Sequence, residues 1–127
     1  MHETIVLGRI GFVVENICLN ANVDLLGWAL YDIDGLPLYS KVKTHEDEFG
    51  AMAANVVEIY KRMPELTGSC FYFPDMNLFL HRIKVDMKYF VLTIAIEKNI
   101  RNHGLVALQI LKYEERFREI LVQKGLY

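Results

Sequence analysis

The stretch Leu25–Ser40, which reads LLGWALYDIDGLPLYS, decides how the rest of the chain folds. Two extended runs rich in aromatic and aliphatic residues flank Asp32-Ile33-Asp34-Gly35, an arrangement typical of a β-hairpin. Alternation divides the first run between two faces, with Leu26, Trp28 and Leu30 against Leu25, Ala29 and Tyr31. Both faces are largely apolar, so we expect this strand to be covered on both sides.

A long amphipathic helix is predicted after the hairpin, from about Glu46 to Arg62. Thr44 and Asp47 have the spacing of a helix capping box at its start. Its apolar stripe recurs at spacings of three and four: Phe49, Met52, Val56, Tyr60 and Met63. A second face is small and uncharged: Gly50, Ala53, Ala54 and Val57. Because small residues let another backbone approach closely, we place a second subunit on this face; an unremarkable surface is the alternative.

The remaining segments complete a meander of strands between two further helices. Residues 4–21 have helical spacing, and 69–73 form a short aromatic strand. Residues 78–86 alternate, so we expect one side of that strand to face solvent, whereas 89–96 are typical of a central strand. The last helix is predicted from about His103 to Gln123, with Leu105, Leu108 and Leu111 beside its apolar stripe. The order α-β-β-α-β-β-β-α predicts an α+β fold: one five-stranded antiparallel sheet with helices on both faces.

Composition narrows the class of partner. The chain has 127 residues and a formal charge of −2, without a basic stripe, so we expect a single domain that does not bind nucleic acid. The mean hydropathy of +0.18 is high for an isolated domain and favours a buried partner surface. The longest apolar run, Tyr89–Ile96, is far short of the ~20 residues of a membrane helix. The sequence does not open with the pattern of a leader peptide, and we expect Cys18 and Cys70 to be buried thiols. We therefore expect a cytoplasmic protein that does not insert into membranes.

Nothing in the sequence has the pattern of an active site. Asp32 and Asp34 suit turn chemistry better than a calcium loop, which needs more oxygen ligands at set spacing. His45 beside Glu46, Asp47 and Glu48 is better explained by acidic residues complementing a helix dipole. Zinc-ligand, nucleophile-elbow and phosphate-loop patterns do not occur. We therefore expect no catalytic residue, no cofactor and no metal, and predict that the protein is not an enzyme.

Three segments together resemble the roadblock/dynein light-chain family, over roughly residues 4–112. They are Gly27–Ser40, with an Asp-x-Asp-Gly-x-Pro turn between two strands, Glu48–Ala54 at the head of the second helix, and the final strand leading into Gly104-Leu105-Val106. The resemblance implies a roadblock/profilin-like fold over residues 1–127, with a final helix longer than a minimal domain of this kind requires.

The resemblance also implies a function and a mode of assembly. Members of this family are homodimers or heterodimers that pair their second helices and join their sheets edge to edge. They act as scaffolds or regulators of small Ras-like GTPases, by activating or localising them, or as subunits of motor complexes. The expected partners are therefore a second copy or a paralogous subunit, and a small GTPase. The candidate dimer interface comprises Gly50, Ala53, Ala54, Val57, Lys61, Cys70 and Tyr72.

Two other functions remain open at this point. A small-molecule sensor would carry a sizeable internal pocket lined by polar groups. A longin-like adaptor would begin with a strand, which the helical spacing of Val6 to Ile17 opposes.

Overall fold

The structure is a computed structural model that describes residues 2–32, 34–42, 50–51, 55, 58–98 and 101–123. Helix α1 spans His2–Ala21 and helix α3 spans His103–Gln123. Between them lie the strands β1 (Leu25–Asp32), β2 (Pro37–Val42), β3 (Gly68–Tyr72), β4 (Met76–Val85) and β5 (Lys88–Glu97). The described residues of the second helix, α2, are 50, 51, 55 and 58–62, and all are helical. The predicted capping box at Thr44 and Asp47 lies outside the described residues.

The five strands form one antiparallel sheet in the order β2-β1-β5-β4-β3. β5 is the central strand and is buried from Phe90 to Ile96. Pro37, which has no N–H to donate, opens the edge strand β2. The predicted α+β fold, its element order and its central strand are therefore confirmed.

Helices cover the two faces of the sheet unequally. The larger apolar cluster joins α1 and α3 to Trp28, Leu30, Phe79, Phe90, Leu92 and Ile94 of the sheet. The smaller cluster, on the opposite face, joins Tyr60 of α2 to Ala29, Tyr31, Leu78, Leu80, Val91 and Ala95. Burying a large apolar side chain of this kind contributes about 1.5–3 kcal/mol. The two clusters hold the helical layers to the sheet, and Cys18 and Cys70 form no disulfide among the described residues.

The hairpin turn is built by the Asp32 side chain. Its Oδ1 accepts the backbone N–H groups of Asp34 at 2.9 Å and Leu36 at 3.0 Å. Gly35 has a φ of 88°, a left-handed conformation that costs glycine little. The predicted turn chemistry is confirmed, because one oxygen of the Asp32 carboxylate accepts two backbone N–H groups of the turn.

Two expectations about packing are wrong. A register shift between Leu25 and Gly27 in the β1–β5 pairing puts Leu25 beside the larger cluster and Leu26 beside the smaller one, opposite to simple alternation. The side of β4 that was expected to face solvent is covered by α2 at Arg82, which is only 7% exposed, and of the ten residues of β4 Lys84 alone is exposed. The α3 residues Leu105, Leu108 and Leu111, which lie beside the buried stripe, are exposed.

Candidate functional site

Two side chains attach α2 to the sheet. The hydroxyl of Tyr60, on α2, donates to the carbonyl of Leu80 at 3.1 Å and lies 2.8 Å from the Ser69 hydroxyl on β3. Burial raises the pKa of the Tyr60 phenol, which therefore stays a neutral donor. The helix is thus attached directly above the β3–β4 pair.

The second attachment is Arg82, a β4 residue that sequence reasoning placed towards solvent. Its guanidinium donates to the carbonyls of Tyr60 and of Pro64, the latter at 2.5 Å, and lies 5.2 Å from the centre of the Tyr60 ring. The Tyr60 carbonyl lies in the last turn of α2, where Pro64 has no N–H to bond to it, and the Pro64 carbonyl follows just after the helix. Arg82 therefore caps the C-terminus of α2, which also carries the negative end of the helix dipole.

Lys61, one of the predicted interface residues, connects α2 to the hairpin turn. Its ammonium lies 3.1 Å from the Asp34 carboxylate, and this hydrogen bond raises the pKa of Lys61. The pair is exposed, so its contribution to stability is small. It does fix the position of a cation at the outer surface of α2.

The predicted interface residues on β3 point to the opposite face of the sheet from α2. Cys70 is half-buried against the larger cluster. Tyr72 is 56% exposed, with its ring edge-on to His103 at 5.4 Å and the Lys98 ammonium 5.2 Å from the ring centre. β3 pairs with β4 alone among the described strands, so its outer edge is open.

The structure places the described members of the predicted interface on two opposite faces of the sheet. Gly50 and Lys61 lie exposed on α2, while Cys70 and Tyr72 flank the open edge of β3. A Cβ atom added at Gly50 would meet nothing within 4 Å, so the interior of the fold does not require a glycine there. Ala53, Ala54 and Val57 lie outside the described residues, and the interface as a whole stays a prediction.

A cavity of about 330 Å³ lies between β3, β4 and the first half of α3. His81, at its wall, is 4% exposed, and its Nε2 lies 3.5 Å from the Glu114 carboxylate. Burial lowers the pKa of His81, and the carboxylate of Glu114 opposes that shift. Glu114 is in turn held by Arg118 at 3.1 Å, the helical pair expected from the sequence. This group fixes α3 on β4, and nothing in it has the geometry of a catalytic centre.

Within the described ranges, no three His, Cys, Asp or Glu residues are grouped so that they could hold a metal ion. Across the same ranges, none of the helices combines the length and the apolar character needed to cross a membrane.

Comparison with known proteins identifies the fold. No family model and no curated protein matches the sequence. Among solved structures, MglB of Myxococcus xanthus is 19% identical, with a TM-score of 0.64 over 93% of this chain and 91% of that one. A structure described as MglB with a tetrameric arrangement is 15% identical, with a TM-score of 0.66 over 94% and 92%. A Roadblock/LC7 domain from Streptomyces avermitilis is 13% identical, with a TM-score of 0.61 over 87% and 96%.

These similarities define the class of structure. The chain has the roadblock/LC7 fold, and the resemblance found in the sequence is confirmed at the level of the fold. MglB of Myxococcus xanthus and the Streptomyces avermitilis domain each share that fold over most of their length.

Proposed function

We propose that the chain is a single roadblock-type domain that acts as a non-catalytic dimeric scaffold and binds a small Ras-like GTPase. The observation that carries the proposal is the open edge of β3, which lies beside α2. The Tyr60 hydroxyl, on α2, holds the helix there by its hydrogen bond with Ser69 of β3. An unpaired strand edge is a template for pairing with another chain. In the dimer, two β3 edges join and two α2 helices pack over the junction.

The α2 surface suits this arrangement. Gly50 is exposed and surrounded by open space, so a second helix can approach its backbone closely. Lys61 lies further along the same helix and is already fixed by Asp34. Across the sheet, Cys70 and Tyr72 extend the contact along β3. The partner copy can be identical or a paralogous roadblock subunit.

The GTPase-binding role rests on the family resemblance and on the fold it shares with MglB. In this role the chain supplies a surface rather than a reacting group, because its buried polar residues serve structural contacts. Arg82, for example, is committed to the carbonyls at the end of α2. Any effect on GTP hydrolysis then arises from holding the partner's switch regions.

The dimer is tested by Gly50→Glu combined with Ala54→Glu. Two carboxylates on each facing helix repel one another, so we expect the mass measured by light scattering to fall by one half. Asn55→Glu is the matched control, because residue 55 is exposed on the same helix outside the proposed face. An unchanged mass in the double variant, or an equal fall in the control, contradicts the helix-pairing interface.

The GTPase partner is tested with purified Ras-like GTPases of the source organism, each loaded with GDP or with a non-hydrolysable GTP analogue. We expect co-elution with at least one nucleotide state and loss of co-elution for the Gly50→Glu, Ala54→Glu variant. Incubated alone with labelled GTP, the chain is expected neither to bind nor to hydrolyse it. Binding or hydrolysis of GTP by the isolated chain would falsify the scaffold function.

The two alternative functions receive less support. A sensor needs a polar internal pocket, whereas the cavity beside His81 is walled mainly by Phe79, Leu80, Ile110 and Leu111. A longin-like adaptor has a strand as its opening element, whereas the element directly before the β1–β2 hairpin is here the helix α1.

A further inference from the structure

The backbone hydrogen bonds between β3 and β4 determine which residues of β3 face its open edge. Thr67 accepts the backbone N–H of Arg82 at 2.7 Å, and the N–H of Phe73 donates to the Met76 carbonyl at 2.9 Å, one bond at each end of the ladder. Along an antiparallel strand, residues that bond to one neighbouring strand alternate with residues whose N–H and C=O groups point the other way. The residues of β3 that turn these groups to the open edge are therefore Gly68, Cys70 and Tyr72.

The same three residues share the face of the sheet that α3 covers in part. Cys70 packs against the larger cluster, and the Tyr72 ring contacts His103 of α3. The cavity of about 330 Å³ lies on this face, with Gly68 and Cys70 in its wall. Leu111, in the α3 wall of the cavity, is 55% exposed, so the cavity opens on the side of β3. The open strand edge and the mouth of the cavity thus form one continuous surface.

We propose that, in the dimer of the proposed function, the two β3 strands pair antiparallel about a two-fold axis that passes beside Cys70. Such an axis requires that, where residue i lies opposite residue j, j also lies opposite i. Cys70 then lies opposite its own equivalent, and Gly68 lies opposite Tyr72 of the second copy, so every outward-facing residue of β3 is paired. Moving the axis to Ser69 or to Phe71 leaves one of these residues unpaired on each copy. This inference rests on the proposed function, because it specifies the register of that dimer.

The register also completes the cavity beside His81 with a residue from the second copy. Residues opposite one another in a sheet point their side chains to the same face, so Tyr72 of the second copy lies over Gly68. Gly68 leaves this space unfilled, and a Cβ atom there would lie 3.3 Å from Nδ1 of His81. The tyrosine ring therefore covers the mouth of the cavity, with its hydroxyl directed at the His81 ring. Aromatic residues that cover a glycine in this way help to fix the register of a sheet.

The two Cys70 thiols meet at the axis, which gives a first test. Opposite residues of antiparallel strands have Cβ atoms roughly 4.5–5.5 Å apart. Dibromobimane joins two thiols at such a separation and fluoresces once both have reacted. In a Cys18→Ala chain, which keeps Cys70 as its one cysteine, we expect a fluorescent linked dimer. A chain that is dimeric by light scattering but gives no linked dimer overturns the register.

The register itself is tested with a disulfide between two different variants. In a chain with Cys18→Ala and Cys70→Ala, either Ser69→Cys or Phe71→Cys supplies the one thiol. With the axis beside Cys70, Ser69 lies opposite Phe71 of the second copy, in the more closely spaced type of antiparallel pair. A mixture of the two variants, incubated with oxidised glutathione, is therefore expected to form a linked dimer that neither variant forms alone.

The outcomes of this experiment separate the register from the proposed function. If the axis passes beside Ser69, the Ser69→Cys variant links to itself, and if it passes beside Phe71, the Phe71→Cys variant does so. Either result, or a dimeric mixture that forms no link, overturns the register and leaves the dimer of the proposed function standing. A parent chain that is monomeric by light scattering overturns both proposals.

The contribution of Tyr72 is tested by Tyr72→Ala, with Leu36→Ala as the control. The two side chains are 56% and 62% exposed, but Leu36 lies in the β1–β2 turn, at the other edge of the sheet. We expect Tyr72→Ala to raise the dissociation constant of the dimer by about tenfold or more, as for other aromatic residues buried at interfaces, and Leu36→Ala to leave it unchanged. Tyr72→Phe, which keeps the ring over Gly68, is expected to raise it less. An unchanged dissociation constant for Tyr72→Ala overturns the inference.

Discussion

At the scale of single residues, the feature with the largest structural consequence is a charged residue inside the fold. Arg82 shares one side of β4 with Leu80 and Lys84, and from the sequence alone this pattern predicts a solvent-facing side. In the structure, α2 covers that side and the guanidinium binds the helix's terminal carbonyls. Alternation separates the two faces of a strand but does not predict which of them is buried, because that depends on where a helix distant in sequence packs.

Arg82→Met is predicted to destabilise the chain by about 1.5–3 kcal/mol, the range for losing hydrogen bonds to a charged group. Methionine keeps an apolar stem against Tyr60 but offers no donor to the carbonyls of Tyr60 and Pro64. The measurement is the free energy of unfolding from a urea titration. Lys84→Met, at an exposed position of the same strand, is the control and is expected to change it little. Equal losses for the two variants contradict the capping role.

His81 is predicted to make stability depend on pH. Burial lowers its pKa in the folded chain below the ordinary 6.5, despite Glu114, so the unfolded chain binds the proton more tightly. The free energy of unfolding should therefore fall as the pH drops below 6.5, and continue to fall until the pH reaches the lower pKa of the folded state. His81→Gln removes this contribution, so the urea titrations of the variant should lose less stability between pH 7 and pH 5.5 than those of the unmodified chain. Parallel losses in both would show that other groups are responsible.

At the scale of elements, the sequence predicts type and order well and side-chain direction less well. The final helix was predicted from His103 to Gln123, which is its observed span, because its apolar spacing is regular. The directions of Leu25 and Leu26 were predicted wrongly, because a register shift in the ladder leaves no signature in an apolar run. Element type follows from local periodicity, whereas register depends on the partner strand.

Gly27 lets β1 and β2 lie close together. A Cβ atom at Gly27 would lie 2.8 Å from the Val42 Cα and 3.1 Å from the Lys41 carbonyl oxygen, both backbone atoms of β2. Gly27→Ala is therefore predicted to force the strands apart and to cost about 1–3 kcal/mol, as for other overpacked sites. Gly104→Ala, in open space at the start of α3, is the control and should leave the midpoint of thermal unfolding unchanged or slightly raised. The prediction fails if both variants unfold at the same temperature.

At the scale of the whole molecule, the sequence predicts the proposed dimer surface on α2 but does not show which apolar residues of α1 stay exposed. The sequence predicts the small face of α2 because a surface helix normally carries charged residues away from the core, whereas Gly50, Ala53 and Ala54 are small and uncharged. The exposed apolar residues of α1 were not recognised, because Ile5, Phe12 and Leu19 are mixed in sequence with the residues that pack against the sheet. Only the observed packing shows which apolar residues of α1 are left outside. A helix with two apolar sides cannot be assigned an inner and an outer face from spacing alone.

The exposed face of α2 and the open edge of β3 together predict the mass of the assembly. A two-fold pair joins the same surface of each copy, so the assembly closes at two chains. We expect the unmodified protein to have a mass near twice 14.8 kDa and to keep it on dilution. Gly50→Glu combined with Ala54→Glu should give a monomer, whereas Asn55→Glu should keep the dimer. A mass that keeps growing with concentration would show that the copies join head to tail instead.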